Sequence, residues 1–314
     1  MSISAIVPVW NGREHLARLL DSLDAQTLRA AEIIAVDNGS TDGAPDLARA
    51  RGARVIRMGR NAGFAAAVNR GIREARSERV AILNSDVKLA PDYFALLTAT
   101  QAPFATGKIL SPNGTLDATF DLTARGGVTW RAGSGMPDAA PFDTPREISS
   151  PPWTAVLLRT DLFARTGLLE EAFESYLEDA DFGLRCAALG IRGRYVPEAR
   201  ATHIGSASLG HWHPATVRRI SRNQMFLTAR HPAVGRAWAS FVAQGLWGLL
   251  ALRHGCGIAW LRGKLEGLRG IVPKHTHRDR EPLEKILRSN EDFIRRHNRD
   301  LYWRLYFMLT AGAK

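Results

Sequence analysis

Short apolar runs punctuate the first hundred residues. Residues 3–7, 33–36, 54–56 and 80–83 read as buried parallel strands. Helical patterns lie between them. Residues 14–25 carry Leu16, Leu19, Leu20 and Leu23 at helical spacing, and segments 43–51 and 64–75 follow. Strands alternating with helices of this length predict right-handed βαβ units and an open α/β sheet. Residues 103–150 break the pattern. They are rich in Gly, Pro, Asp and Thr, with turn signals at Pro112-Asn113-Gly114 and Gly133-Ser134-Gly135, and read as hairpins and a long mobile loop. A buried strand at 153–159, a helix at 181–189 closed by Gly190 and a strand at 193–196 come next. From about Pro214 onward the chain reads as helical.

Charge divides the chain more sharply than hydropathy does. Residues 1–205 carry 23 Lys and Arg against 24 Asp and Glu, whereas residues 206–314 carry 19 against 7. The composition shift at 205–214 is the expected boundary between an α/β unit, residues 1–205, and a basic helical region, residues 206–314. With 314 residues, 45% hydrophobic and 23% charged, the chain is long enough for two units and excludes wholesale disorder. Cys186 and Cys256 are too few for a disulfide framework or a zinc site. The longest uncharged stretch of the C-terminal third, residues 237–252, has 16 residues; an ordinary membrane-spanning helix needs ~20. Residues 3–7 read as a strand inside the fold, so no secretory signal is expected.

Ligands of open α/β sheets bind outside the carboxyl ends of the strands. After the first predicted strand come Pro8-Val9-Trp10-Asn11-Gly12, after the second Asp37-Asn38-Gly39-Ser40-Thr41-Asp42-Gly43, and after the fourth Asn84-Ser85-Asp86. Singly, each is an ordinary turn or helix cap. Together they converge acidic and small polar groups on one crevice. Neither of the two common glycine-rich phosphate loops occurs, so a nucleotide needs a carboxylate on its base or ribose and a cation on its diphosphate. Asp86 can offer a hard oxygen to Mg²⁺ or Mn²⁺. A second acidic cluster, Glu174-Ser175-Tyr176-Leu177-Glu178-Asp179-Ala180-Asp181, precedes a helix. A cap accounts for one carboxylate but not for Glu178, Asp179 and Asp181 together, and the cluster can supply a general base. His203, after a further strand of the same sheet, is a second-rank ligand candidate.

In this order and spacing, five segments resemble the family 2 glycosyltransferases. They are Ile6-Val7-Pro8-Val9-Trp10-Asn11-Gly12, Val36-Asp37-Asn38-Gly39-Ser40-Thr41-Asp42-Gly43, Arg60-Asn61-Ala62-Gly63-Phe64-Ala65-Ala66-Ala67-Val68-Asn69-Arg70-Gly71, Ile82-Leu83-Asn84-Ser85-Asp86 and Tyr176-Leu177-Glu178-Asp179-Ala180-Asp181-Phe182. His203 with Ser206, and residues 218–223, add to the likeness, which covers residues 1 to about 230 and is close to the bacterial rhamnosyltransferase-like subgroup. The resemblance implies the GT-A fold: a Rossmann-like, open, mostly parallel sheet with flanking helices, here followed by the basic helical region. It implies that Pro8, Trp10 and Asn11 line the nucleotide pocket and that Asp37 hydrogen-bonds a pyrimidine base. Asn61, Gly63 and Asn69 would hold the nucleoside and diphosphate side, with Asn84 and Ser85 beside them. Asp86 is the last residue of the family's Asp-x-Asp metal motif, whose first acid is here Asn84, an amide that can ligate a hard cation but brings no charge. Asp179 would be the base that deprotonates the acceptor hydroxyl, and His203 would approach the metal or diphosphate.

The implied reaction is inverting displacement on a nucleotide-sugar, dTDP-rhamnose being favoured over UDP-galactofuranose or UDP-N-acetylglucosamine. The acceptor would be a lipid-linked or polysaccharide glycan in cell-surface synthesis, touched by the variable segment 103–150. A nucleic-acid-binding protein would use the basic third, but it leaves Asp37, Asp86 and Asp179 unexplained and lacks a helix-turn-helix or zinc pattern, so no nucleic-acid partner is expected. The basic third instead pairs its cations with apolar and aromatic residues. Trp238, Phe241, Leu249 and Leu250, the stripe Leu261, Leu265, Leu268 and Val272, and the aromatic run at 301–307 all suit an anionic membrane surface. The expected location is therefore peripheral, on the cytoplasmic face of the inner membrane. Packing on the catalytic unit, or a homodimer through the C-terminal helices, is the competing use of the same residues.

Overall fold

A computed structural model of the chain describes residues 2–204, 212–270, 272 and 281–311. Gly205 and Ser206, and most of the expected boundary at 205–214, lie outside the described residues. The first elements are β1 (Ile3–Val9), α1 (Arg13–Asp24), β2 (Glu32–Asp37), α2 (Ala44–Ala50), β3 (Arg54–Arg57), α3 (Phe64–Glu74) and β4 (Arg79–Leu83). Strands β1 to β4 are mutually parallel, with β1 between β2 and β4. Residues 3–7 and 79–83 are buried on both faces, as strands covered by helices on either side must be. Helix α1 turns Leu16, Leu19, Leu20 and Leu23 inward at the spacing that predicted it.

The middle of the chain completes the sheet. It contributes β5 (Val87–Leu89), α4 (Tyr93–Ala99), β6 (Phe104–Leu110), β7 (Leu116–Ala118), β8 (Asp121–Ala124), β9 (Val128–Arg131), β10 (Arg146–Ile148), β11 (Ala155–Arg159), α5 (Leu162–Thr166), α6 (Glu178–Ala188) and β12 (Gly193–His203). The strand order is β10-β12-β6-β11-β4-β1-β2-β3, with β5 on β12 and β7 on β6, while β8 and β9 form a separate hairpin. This is the open, mostly parallel sheet of the GT-A expectation. Two readings change. Residues 104–110, read as part of a hairpin and loop region, form a fully internal strand. Its polar groups are matched by distant partners: Thr106 donates to the Ala155 carbonyl, and Lys108 pairs with Asp138. Strand β12 runs on to His203 rather than ending at 196, because the register shift between Val196 and Arg200 absorbs Pro197.

The C-terminal third is helical: α7 (Pro214–Arg230), α8 (Ala237–Arg253), α9 (Gly257–Arg269), α10 (Glu281–His297) and α11 (Leu301–Thr310). It shares its core with the sheet. Phe293 of α10 lies 5.7 Å, ring to ring, from Phe120 and 6.3 Å from Trp130, and Trp303, Tyr306 and Phe307 of α11 join the same cluster. The aromatic run at 301–307 thus faces largely inward and not towards the lipid headgroups its composition suits, because Trp303, Tyr306 and Phe307 are buried against the sheet's core. Lys264 ties α9 to its neighbours, donating to the Ser221 carbonyl, Gln224 Oε1 and Gln244 Oε1 at 2.8–3.0 Å.

Candidate active site

The carboxyl ends of β1, β2 and β4 open on one edge of the sheet, and the loops leaving them are knitted together. Asn11 has a left-handed backbone, φ 59°. Its N–H donates to Ser40 Oγ at 2.9 Å, and its side-chain oxygen accepts from the Thr41 N–H at 2.9 Å. Asp37, buried at the end of β2, accepts the Ser40 N–H on Oδ1 at 2.8 Å, which leaves Oδ2 for a ligand. Asn38 reaches the third loop through Asn61 Oδ1 and the Gly63 carbonyl, both at 3.1 Å. Trp10 stands half-exposed beside this rim. Gly63, φ 91°, packs on the backbone of Glu174; a Cβ there would lie 2.8 Å from Glu174 Cα. The structure thus gathers Pro8, Trp10, Asn11, Asp37, Asn61 and Gly63 at one rim. It does not bring Asn69 there. The Asn69 amide is buried and occupied by the Leu169 backbone and Glu171, so it shapes the 169–171 loop instead.

A second corner forms where β4 ends. The antiparallel pairing of β5 with β12 sets Asp86 beside His203, and β7 brings Asp117 to the other side of the ring. His203 Nε2 lies 3.1 Å from Asp86 Oδ1, and Nδ1 lies 2.9 Å from Asp117 Oδ2. Burial disfavours the charged ring, but the bonds to Asp117 and Asp86 outweigh it and lift the imidazole to about 9. With its far nitrogen fixed by Asp117, the ring could join Asp86 as a donor to a divalent cation only once that cation displaces the Nε2 proton. Among the described residues no group of three or more His, Cys, Asp or Glu is arranged to hold one alone. Two protein donors fit a cation whose other positions are left to a diphosphate and water. Asn84 and Ser85 lie next to this corner, Asn84 anchored by its N–H to the Thr154 carbonyl at 2.9 Å.

The third wall holds the acidic cluster. Glu174, Tyr176 and Leu177 all have positive φ, a strained approach to α6. Helix α7 stabilises it: the Asn223 amide donates to the carbonyls of Phe173, Ser175 and Tyr176 at 2.7–2.9 Å, and Arg222 pairs with Glu174 at 2.8 Å. The environment then sorts the three candidate carboxylates. Burial, followed by the neighbouring Asp179 charge, pushes Glu178 well above the usual carboxylate range and so favours its protonated form. Burial also works against ionised Asp181, but His231 and Arg230, each 2.8 Å from Oδ1, and Arg185, 3.0 Å from Oδ2, hold it far below that range. Asp181 is therefore a structural anion within the core. Asp179 keeps part of its side chain open and sits in the first turn of α6, with Arg131 at 3.8 Å. The motif did not mark Asp117, Asp121 or Arg131, although all three lie on strands or hairpins of the segment flagged as variable.

Comparison with known proteins gives the family and the fold. Residues 4–106 match the family model described as Glycosyl transferase family 2. The chain is 30% identical over 284 residues to an N-acetylglucosaminyl-diphospho-decaprenol L-rhamnosyltransferase of Mycobacterium tuberculosis, covering 80% of this chain and 91% of that protein. A putative glycosyltransferase of Bacillus subtilis is 37% identical over 97 residues, 29% of this chain and 28% of its own. Among solved structures, GalNAc-T7 with UDP, GalNAc and Mn²⁺ superposes with a TM-score of 0.62 at 15% identity, over 99% of this chain and 56% of that one. The mannosyltransferase PcManGT of Pyrobaculum calidifontis, in complex with GDP-Man and Mn²⁺, gives 0.53 at 15% identity, over 99% and 87%. At that identity the two structures establish a shared fold.

Proposed function

The chain belongs to glycosyl transferase family 2 as a rhamnosyltransferase-like member, and from that premise we propose that it moves a rhamnosyl residue from dTDP-rhamnose to a lipid-linked N-acetylglucosamine acceptor in cell-wall synthesis. The observation that carries this reading is the likeness to the mycobacterial rhamnosyltransferase over 80% of this chain, joined to a site in which Asp179, alone among the carboxylates at 178–181, stays partly open. In this reading residues 1–205 carry the chemistry, segment 103–150 meets the acceptor, and the outward faces of α8 and α9, within residues 206–314, meet the membrane.

Chemically, the acceptor hydroxyl oxygen attacks the anomeric carbon, and the bond to the diphosphate oxygen breaks with its electron pair leaving on the nucleoside diphosphate. The hydroxyl proton passes to Asp179, and displacement from the opposite face inverts the configuration. Asp37 Oδ2 accepts a base N–H. Asp86 and His203 would hold Mg²⁺ or Mn²⁺, whose charge offsets that of the diphosphate when bound. Asp117 keeps Nε2 of His203 turned towards Asp86.

The apolar ridge on the C-terminal helices supports peripheral membrane attachment. Trp238, Phe241, Leu249 and Leu252 on α8, and Ile258, Leu261, Leu265 and Leu268 on α9, are all exposed, with Arg253, Arg262 and Arg269 among them. No helix of the described residues is long and apolar enough to cross a membrane. A surface helix with such residues and flanking cations suits the headgroup boundary of the cytoplasmic face of the inner membrane. The functional reading is tested by transfer assays over a panel of nucleotide-sugars with a lipid-linked N-acetylglucosamine acceptor. Rhamnosyl transfer is the expected result; transfer only from UDP-galactofuranose or UDP-N-acetylglucosamine would replace the donor.

A further inference from the structure

The hairpin of β8 and β9 carries a buried acid that neither the sequence motif nor the catalytic reading above uses. Asp121 opens β8 and pairs directly across the hairpin with Arg131, the last residue of β9. Asp121 is 3% exposed, and its Oδ1, 3.6 Å from Arg131 Nε, has no hydrogen-bond partner. The other arm of the same guanidinium lies 3.8 Å from Asp179 Oδ2. The connection before β11 fixes both acids: the Ser150 carbonyl accepts the Asp121 N–H at 3.0 Å, and Ser150 Oγ donates to the Asp179 carbonyl at 3.5 Å. One cation therefore stands between a closed carboxylate and a partly open one. A buried acid left half-satisfied beside a second acid is costly, and such arrangements gather where a proton must be handled.

We propose that Asp121 and Arg131 are a positioning pair for the base, Arg131 orienting the Asp179 carboxylate and Asp121 keeping that cation from neutralising it. The proposal rests on the reading of Asp179 as the base. With Arg131 bound to Asp179 alone, the cation would hold the carboxylate in its ionised form but make it a poor proton acceptor. A second carboxylate on the same guanidinium divides that attraction. Burial, against the pull of Arg131 and with the push of Asp179, raises Asp121 to about 7, so the pair gains or loses its second negative charge close to neutrality. The charged groups around it are few. Glu178 and Asp179 face it from α6 and Arg131 from β9, while Asp117 reaches Arg131 from β7. Helix α10, packed on β8, presents Asn290 to the Thr123 carbonyl and commits Glu284 and Glu291 to Arg125.

The test is the pH profile of kcat/KM for the full chain with two near-isosteric variants, Asp121→Asn and Arg131→Gln, and with Asp179→Asn in the same assay. Removing the neighbouring anion should move the acid limb to lower pH, and removing the cation should move it to higher pH. Asp121→Asn should also lower kcat by roughly ten- to a hundredfold with acceptor KM unchanged, the scale of a misplaced or weakened base. A pair that only stabilises the hairpin would lower both rates without separating the limbs. Limbs that stay together, with Asp179→Asn inactive, overturn the positioning pair and leave the base in place. Transfer that survives in Asp179→Asn overturns the base assignment and the pair with it.

Discussion

The proposed nucleotide rim and the wall that carries Asp179 adjoin where Gly63 packs on Glu174, but they are held by different means. The rim is made of loops that leave neighbouring parallel strands, and the bonds between those loops span at most 30 residues: Asn11 to Ser40 and Thr41, Asp37 to Ser40, Asn38 to Asn61. The wall depends on the far end of the chain. Asn223 holds the backbone before α6, Arg230 and His231 hold Asp181, and the hairpin that carries Asp121 and Arg131 is gripped at its turn from the C-terminal helices. Gln244 donates to the Gly126 carbonyl and Tyr306 to the Arg125 carbonyl, the latter 181 residues away in sequence. Gly126 admits α8 so closely that a Cβ would lie 2.6 Å from the Ala239 carbonyl oxygen. On the proposed reading donor binding is a local property of residues 1–205, whereas the segment that carries Asp179 is positioned by the helices that also carry the exposed apolar residues.

If that contrast is right, damage to the wall should spare donor binding. The largest effect is expected for Asp179→Asn. It should slow transfer by roughly 10²–10⁴-fold, the usual scale of lost general-base help, while calorimetry shows nucleoside diphosphate affinity close to that of the parent. Equal loss of binding would mean that rim and wall are one unit.

Asp181→Asn separates folding from chemistry on the wall. It leaves Arg185, Arg230 and His231 around a neutral amide in the core, a change that should cost about 3–5 kcal/mol, read by denaturant unfolding. The pH dependence has a definite sign. Asp181 is held below its ordinary value of 3.8, so its contribution is complete above that pH and fades as pH falls towards the lower folded value. The parent should lose stability in that acid range more steeply than Asp181→Asn; parallel curves would remove Asp181 from the anchor role.

Asp37→Ala should do the converse at the rim. It should weaken UDP or dTDP binding by about 1.5–3 kcal/mol, the worth of a charge-assisted hydrogen bond, and leave thermal stability nearly unchanged. Parental affinity for both nucleotides would exclude Asp37 from the base pocket.

The smallest effect concerns the ridge. Phe241→Ser with Ile258→Ser should weaken sedimentation with anionic vesicles at low salt by about tenfold, a fraction of the ~1.5–3 kcal/mol of fully burying each side chain. Unchanged vesicle binding, together with a loss of dimers in sedimentation velocity, would instead make α8 and α9 the homodimer face.

The sequence by itself determined the open α/β sheet and which polar residues stand at the carboxyl ends of β1, β2 and β4. Period-2 and period-3.6 patterns encode strands and helices locally, and turn residues at strand ends are forced onto the ligand-binding edge by parallel topology. It marked Asp86, His203 and the Glu178–Asp181 cluster as chemistry, but three carboxylates in four positions look alike on paper. Only the tertiary structure separated them, because the ionisation of a buried acid depends on groups brought near it from elsewhere. Asp181 became an anchor through Arg230 of α7 and His231 just after it, burial favoured the neutral form of Glu178, and Asp179 stayed partly open. The same holds for β6 and the hairpin. Thr106 and Lys108 look like loop residues until partners 49 and 30 residues away meet them, and Asp121 does so until the hairpin sets Arg131 beside it. The C-terminal third behaved likewise. Its apolar and basic composition was visible at once, but which rings face the core, as Trp303 and Tyr306 do, and which face outward, as Phe241 and Ile258 do, was decided by packing against the sheet.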